Sequence, residues 1–272
     1  MELRERQLAF HITSACSLDC KLCVNLMPRF KEKKLARHIP LEQIKREISA
    51  VFQIYDYIED VTISGGEPLL HPDVTEVIAF CMSYEKQFHV LRVFTNGTIP
   101  PKQRLLEQIT EYGGKLQLVV DDYGPDCSTK VEEITALFEE NALPLRVNRY
   151  WGDNQHCGGW VDYGPLEEYR GYSASQLHAL YQTCHLAQYK CIEVFNGKML
   201  NCWAIFGREL GLMPFEGSAP DPQIIDLLDT DVPLDEKRRI AAAYGTAPLW
   251  ACQYCNGFDV EKSKRYPAGE QE

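Results

Sequence analysis

Between Gln7 and Asn148, short apolar runs alternate with longer segments of helical periodicity, and this alternation restricts the chain to few folds. QLAFHIT (Gln7–Thr13), DVTIS (Asp60–Ser64), VLRVF (Val90–Phe94), LQLVV (Leu116–Val120) and LPLRVN (Leu143–Asn148) read as strands, and WVDY (Trp160–Tyr163) as a sixth. Behind Pro40, a residue suited to a helix start, Leu41, Ile44, Ile48, Val51 and Phe52 recur at helical spacing. Residues 73–84, 101–112 and 129–140 also read as helices, and the polar, basic stretch 25–38 as a loop or a solvated helix start. Strands joined by helices pair in parallel, because a crossover returns the chain to the same end of the sheet. Sites in such sheets form at the C-terminal strand ends. Four unusual segments sit there: TSACSLDCKLCV (13–24), Gly65–Gly66–Glu67–Pro68, Thr95–Asn96–Gly97 and Asp121–Asp122. Four such loops on one rim point to one site.

After residue 175 the pattern changes, which divides the chain into residues 1–175 and 176–272. A helix near Ala174–Tyr181 leads to Cys184, and CIEVFNGKMLNCW reads as two short strands turning at Asn196–Gly197. Residues 208–235 are loop-rich, with Pro214, Pro220, Pro222 and Pro233, and Leu234–Ala243 reads as a helix. The last stretch, KSKRYPAGEQE, is expected to fray.

The opening MELRERQLAF carries charges and no apolar signal core, so the expectation is a cytoplasmic protein. No run of about 18 apolar residues suggests a membrane span. A net charge of −11 argues against a nucleic-acid partner, which needs a basic face. Small molecules, peptides and basic partners stay open. Eleven cysteines are many for such a chain, and in a reducing compartment clustered cysteines are metal ligands more often than disulfides.

Cys16, Cys20 and Cys23 stand as C-x3-C-x2-C. A zinc knuckle or a closed iron–sulfur cube takes four ligands, and this loop offers three. His11 lies within the preceding strand and His38 beyond a charged stretch. Three thiolates on a 4Fe–4S cluster leave one iron open to a substrate or cofactor; a zinc site that borrows a histidine is the alternative. The loop resembles that of the radical S-adenosylmethionine (SAM) superfamily, and Gly65–Gly66–Glu67–Pro68 one strand later is similar to that family's Gly-Gly-Glu motif. The resemblance covers roughly residues 7–150 and implies a partial (β/α)6 TIM-like barrel. It implies that Cys16, Cys20 and Cys23 hold a 4Fe–4S cluster whose open iron chelates SAM. Electron transfer from that cluster yields a 5′-deoxyadenosyl radical, which abstracts hydrogen from substrate. By the same resemblance Gly65, Gly66 and Glu67 lie close to the methionine amino group, and Asn96 contacts SAM. Relatives often carry an aromatic residue before the third cysteine; here it is Leu22, which can still pack near adenine.

Cys184, Cys202, Cys252 and Cys255, with four residues between Gly197 and Cys202, resemble the auxiliary half of SPASM/Twitch proteins. That likeness implies a small C-terminal Twitch-type domain with a fully ligated second 4Fe–4S cluster, Cys191 being an alternative to Cys184. A zinc ribbon has the same ligand count. Cys81 reads as core. The implied activity is oxidation of a sugar-like or cyclitol alcohol, as in the Twitch-type dehydrogenases of aminocyclitols, with the second cluster as electron acceptor and flavodoxin or ferredoxin as reductant. Asp121, Asp122, Arg146, Arg149 and His156 are candidate bases by position, Arg146 also as a carboxylate partner. Two other outcomes use the same radical. Epimerisation would draw hydrogen from Cys127, Cys157 or Cys191. Maturation of a ribosomally made peptide is disfavoured by the few residues before the first strand. A non-enzymatic iron–sulfur carrier would explain the cysteines but not the Gly-Gly-Glu-Pro turn.

Overall fold

The computed structural model describes residues 2–213 and 223–272. The loop expected around Pro214, Pro220 and Pro222 lies outside the described residues. In chain order the elements are β1 (Arg4–Thr13), α1 (Met27–Glu32), α2 (Leu41–Ile54), β2 (Tyr57–Gly65), α3 (Val74–Met82), β3 (Phe88–Thr95), α4 (Gln103–Tyr112), β4 (Leu116–Asp122), α5 (Val131–Glu140) and β5 (Arg146–Arg149). There follow β6 (Trp160–Val161), α6 (Ala174–Thr183), α7 (His185–Tyr189), β7 (Ile192–Phe195), β8 (Lys198–Leu200), α8 (Ala204–Glu209), β9 (Ile225–Asp226), α9 (Leu234–Ala242) and β10 (Arg265–Tyr266).

The sheet runs β5-β4-β3-β2-β1-β7-β8-β9. Strands β1 to β5 are parallel, and β7 adds to the free side of β1, also in parallel; β8 is antiparallel to β7, and β9 antiparallel to β8. This is a partial α/β barrel with six parallel strands. The sixth is Ile192–Phe195 rather than Trp160–Tyr163: β6 pairs only with β10, antiparallel and outside the sheet. The hairpin at Asn196–Gly197 thus continues the sheet that β1 begins.

Alternation along the strands sorts the two faces. Leu8, Phe10, Ile12, Val61, Ile63, Leu91, Val93, Leu116, Leu118 and Val120 share one face and join α2 residues Ile44, Ile48 and Val51 in the apolar core. Cys81 is part of it, as expected. The stretch 25–38 is less solvated than its charges suggest, since α1 buries Met27, Pro28 and Phe30.

One polar contact fastens α2 to the hairpin. Buried Glu47 accepts from Gly197 N at 2.6 Å and Gln43 Nε2 at 2.9 Å, while Gln43 also donates to Asn196 Oδ1 at 3.2 Å. Burial pushes the Glu47 carboxyl up to about 7.

The segment expected to fray is ordered. β10 lies on β6, and residues 270–272 pair with the cysteine loop: Lys21 N donates to Glu270 O and Glu272 N to Asp19 O, both at 2.9 Å. These are mainly backbone bonds, made without an apolar pattern that the sequence would display.

Glu47→Ala would leave the buried Gly197 N–H without an acceptor. We expect it to cost ~1–3 kcal/mol in urea unfolding, as unsatisfied buried donors do.

Candidate active site

The rim is assembled from backbone contacts first. Gly66 N donates to Thr13 O at 2.9 Å and Glu67 N to Ala15 O at 2.8 Å, so the Gly-Gly-Glu turn lies flat against the start of the cysteine loop. A Cβ on Gly65 would come 2.3 Å from Thr13 O, and one on Gly66 2.2 Å from Ala15 O. Both positions exclude any side chain. Glu67 is fully buried, and its carboxylate accepts from Leu69 N at 3.0 Å and Asn96 N at 2.8 Å. Burial nevertheless pushes its carboxyl up to about 7. Asn96 closes the circuit, donating to Ser17 Oγ at 3.0 Å and reaching Cys16 Sγ at 3.6 Å.

Cys16, Cys20 and Cys23 line one cavity of about 140 Å³ with Gly65, Gly66, Thr95, Asn96, Phe94, Asp121, Tyr123 and Trp160. Among the described residues no other cysteine and no histidine lines it. Desolvation pushes the Cys16 thiol up to about 11 and that of Cys20 to about 12.

The inner face of the sheet is polar and was not foreseen. Strand register sets Ala9, Thr62, Arg92 and Gln117 in one row and His11, Ser64, Phe94, Val119 and Arg146 in the next. His11 Nε2 pairs with Glu193 from β7, and Arg92 pairs with Asp60. The readable signal was polar residues at every second strand position, as in Asp60, Thr62 and Ser64. Nearer the rim Arg146 Nε donates to Asn148 Oδ1 at 3.0 Å, and Asn148 Nδ2 donates to Asp121 Oδ1 at 2.9 Å. Desolvation pushes the Asp121 carboxyl up to about 7, against the opposing pull of Asn148 and Arg146.

Other candidates lie apart. Asp122 caps the following turn, accepting from Gly124 N and Trp151 Nε1. Arg149 lies over the Trp151 ring and His156 against Tyr150. Leu22 lines a neighbouring cavity of about 300 Å³, together with exposed Cys157, Trp160, His185, Phe258 and Arg265. Trp160 borders both cavities. The Cys127 thiol donates to Gly269 O at 3.6 Å.

Cys184, Cys202, Cys252 and Cys255 all line a second, apolar cavity with Tyr163, Leu180, Trp203 and Met213. Cys191 does not line it. Burial pushes Cys252 up to about 11 and Cys255 to about 12. Among the described residues no three His, Cys, Asp or Glu side chains form a group that could hold a single metal ion. The thiols line the walls of two cavities, Cys16, Cys20 and Cys23 the first and Cys184, Cys202, Cys252 and Cys255 the other. No helix among the described residues is long and apolar enough to cross a membrane.

Fold and rim together define an α/β partial-barrel protein whose mouth is built around three thiols. Residues 10–140, just under half of the chain, match the radical SAM superfamily, so this region is a radical SAM domain. A radical SAM domain implies a 4Fe–4S cluster and SAM. BtrN, solved in complex with AdoMet and 2-DOIA, has the same fold: 14% identity, TM-score 0.52, covering 98% of this chain and 99% of that one. Streptococcus suis SuiB bound to S-adenosylmethionine shares 15% identity at TM-score 0.44, covering 98% and 76%. The protein anSMEcpe with bound AdoMet shares 18% identity at TM-score 0.41. That match covers 53% of this chain and 43% of anSMEcpe, so the chain spans less than half of that protein's length. No curated protein matches the sequence.

Gly66→Ala should push the cysteine loop off the turn. We expect loss of the SAM-responsive cluster signal in electron paramagnetic resonance, with iron after reconstitution falling by about half if the four-thiol set still loads.

Proposed function

We propose that this radical SAM enzyme dehydrogenates a hydroxyl-bearing small molecule, sugar-like or cyclitol, and that its four-thiol set holds a second cluster. The observation that carries this reading is Asp121, a half-buried carboxylate on the wall that Cys16, Cys20 and Cys23 share. When bound, SAM on the three-thiolate cluster supplies a 5′-deoxyadenosyl radical that removes a hydrogen atom from substrate, and the second cluster takes up one electron. Cys16, Cys20 and Cys23 would hold the first cluster, and Cys184, Cys202, Cys252 and Cys255 the second. A flavodoxin or ferredoxin would reduce the first.

Asp121 would accept the substrate hydroxyl proton. A general base works best with its pKa near the working pH, and burial brings this carboxyl to about 7. Asn148 fixes the orientation of Asp121 through Oδ1, and Arg146 fixes Asn148. Arg146 is thus a positioning residue. Phe94, Tyr123 and Trp160 give the cavity aromatic walls that limit water near the carboxylate. The polar inner face, with Arg92, Gln117, Thr62 and Ser64, suits a polyol. BtrN, whose fold is alike, was solved with 2-DOIA beside AdoMet. An epimerase would need a thiol on this wall to return hydrogen; Cys127, Cys157 and Cys191 are not among the residues that line it.

The test is reconstitution with SAM and reductant in deuterated water, with sugars, cyclitols and peptides as candidate substrates. Loss of two mass units from a polyol supports the proposal. Gain of one unit, or a modified peptide with untouched polyols, overturns it.

Asp121→Asn should lower kcat by about 10²–10⁴, the usual worth of a general base. The base must be ionised, so turnover should rise as pH climbs through about 7. Asn148→Ala removes a hydrogen bond that favours the carboxylate, so that limb of the pH–rate profile should move to higher pH.

A further inference from the structure

The segment 264–272 crosses the rim and touches the cysteine loop at several points. Cys20 and Gln271 face each other as an antiparallel bridge, flanked by the backbone bonds from Lys21 to Glu270 and from Glu272 to Asp19. Gly269 lies on Tyr123, where a Cβ would come 2.7 Å from the Tyr123 Cβ. The Gln271 side chain therefore projects from a backbone already fixed by pairing.

Its carboxamide is fully used. Asp19 N–H can only donate, so the atom it meets at 2.7 Å must be the amide oxygen, which settles the orientation of the group. Nε2 then carries two N–H bonds. One points to Gly269 O at 2.6 Å and the other to Cys20 Sγ at 3.2 Å. One acceptor and two donors are all satisfied, and the Cys127 thiol also lies within reach of this side chain. Cys20 itself is buried, only 7% exposed.

We infer that Gln271 is a positioning residue for the radical chemistry, setting the reduction potential of the cluster on Cys16, Cys20 and Cys23 through its N–H···S bond to Cys20. This rests on reading those three thiols as cluster ligands. A donor aimed at a thiolate withdraws electron density from it, and reduction adds negative charge to the cluster. The bond is therefore stronger in the reduced state, and it raises the potential. Asn96 approaches Cys16 in the same way from the other side, at 3.6 Å. The difference is that the Gln271 donor comes from a segment 251 residues away in sequence, so the strap's closure and the cluster's potential are linked.

The experiment is a redox titration of the reconstituted full chain, followed by electron paramagnetic resonance. The signal that changes on adding SAM identifies the cluster concerned. Gln271→Ala removes the donor. Gln271→Glu removes it while keeping the side chain's shape and an oxygen for Asp19. Glu270→Ala deletes the exposed Lys21 ion pair but leaves the backbone pairing and the amide in place. With iron content matched, Gln271→Ala should raise the oxidised-to-reduced ratio at a fixed potential about tenfold, a midpoint about 59 mV lower for one electron, and Gln271→Glu, which also adds negative charge, by at least as much. Glu270→Ala should match the parent. Unchanged midpoints in both Gln271 variants would overturn the inference, as would an equal shift in Glu270→Ala. A parent chain with no SAM-responsive signal would instead refute the cluster reading on which it rests.

Discussion

The backbone of Thr13–Ala15 lies directly on that of Gly65–Glu67, and the rim is built outward from this contact. Two N–H···O bonds hold it, and neither glycine has space for a Cβ. From there Glu67 ties the turn to the Asn96 backbone, and the Asn96 side chain returns to Ser17 and Cys16. The ends of three strands are thereby locked around the first of three thiols. The sequence motif is usually a guide to where SAM lies, yet in this chain its glycines are required first by the seating of the cysteine loop. Close approach to a cofactor and close approach of two backbones make the same demand on residue size.

The two faces of the sheet divide the labour. The helix-covered face is apolar and supplies the core, while the inner face carries His11, Asp60, Arg92, Asp121, Arg146 and Asn148. Burying that many polar groups is costly unless they find one another, and they do so across strands: His11 with Glu193, Arg92 with Asp60, Asn148 with Asp121. Asp121 is the member of this set that lies on the thiol-lined wall.

Much of this was legible in the chain. The strand–helix alternation gave five strands of the sheet and the order of the rim loops, because crossovers leave strong periodic signals. The cysteine spacing and the Gly-Gly-Glu-Pro turn marked one site, and the Asn196–Gly197 turn marked the hairpin. The sixth parallel strand was misplaced because WVDY has strand character but only a two-residue partner, Arg265–Tyr266. Strand character fixes no pairing. The ordered strap was illegible for a related reason: Glu270 and Glu272 join the cysteine loop through backbone groups, which every sequence has. Leu22 follows the loop's path to the neighbouring cavity, and spacing along a loop does not reveal which way a side chain turns.

The central claim is that Cys16, Cys20 and Cys23 form a centre that cleaves SAM. The direct measurement is 5′-deoxyadenosine released from SAM under reducing conditions, compared between the reconstituted parent and alanine variants of each cysteine. We expect release from the parent, its loss when Cys16, Cys20 or Cys23 is replaced, and its persistence when Cys81 or Cys157 is replaced. Release that survives replacement of any of those three, or a cluster-loaded parent that releases none, would contradict the account.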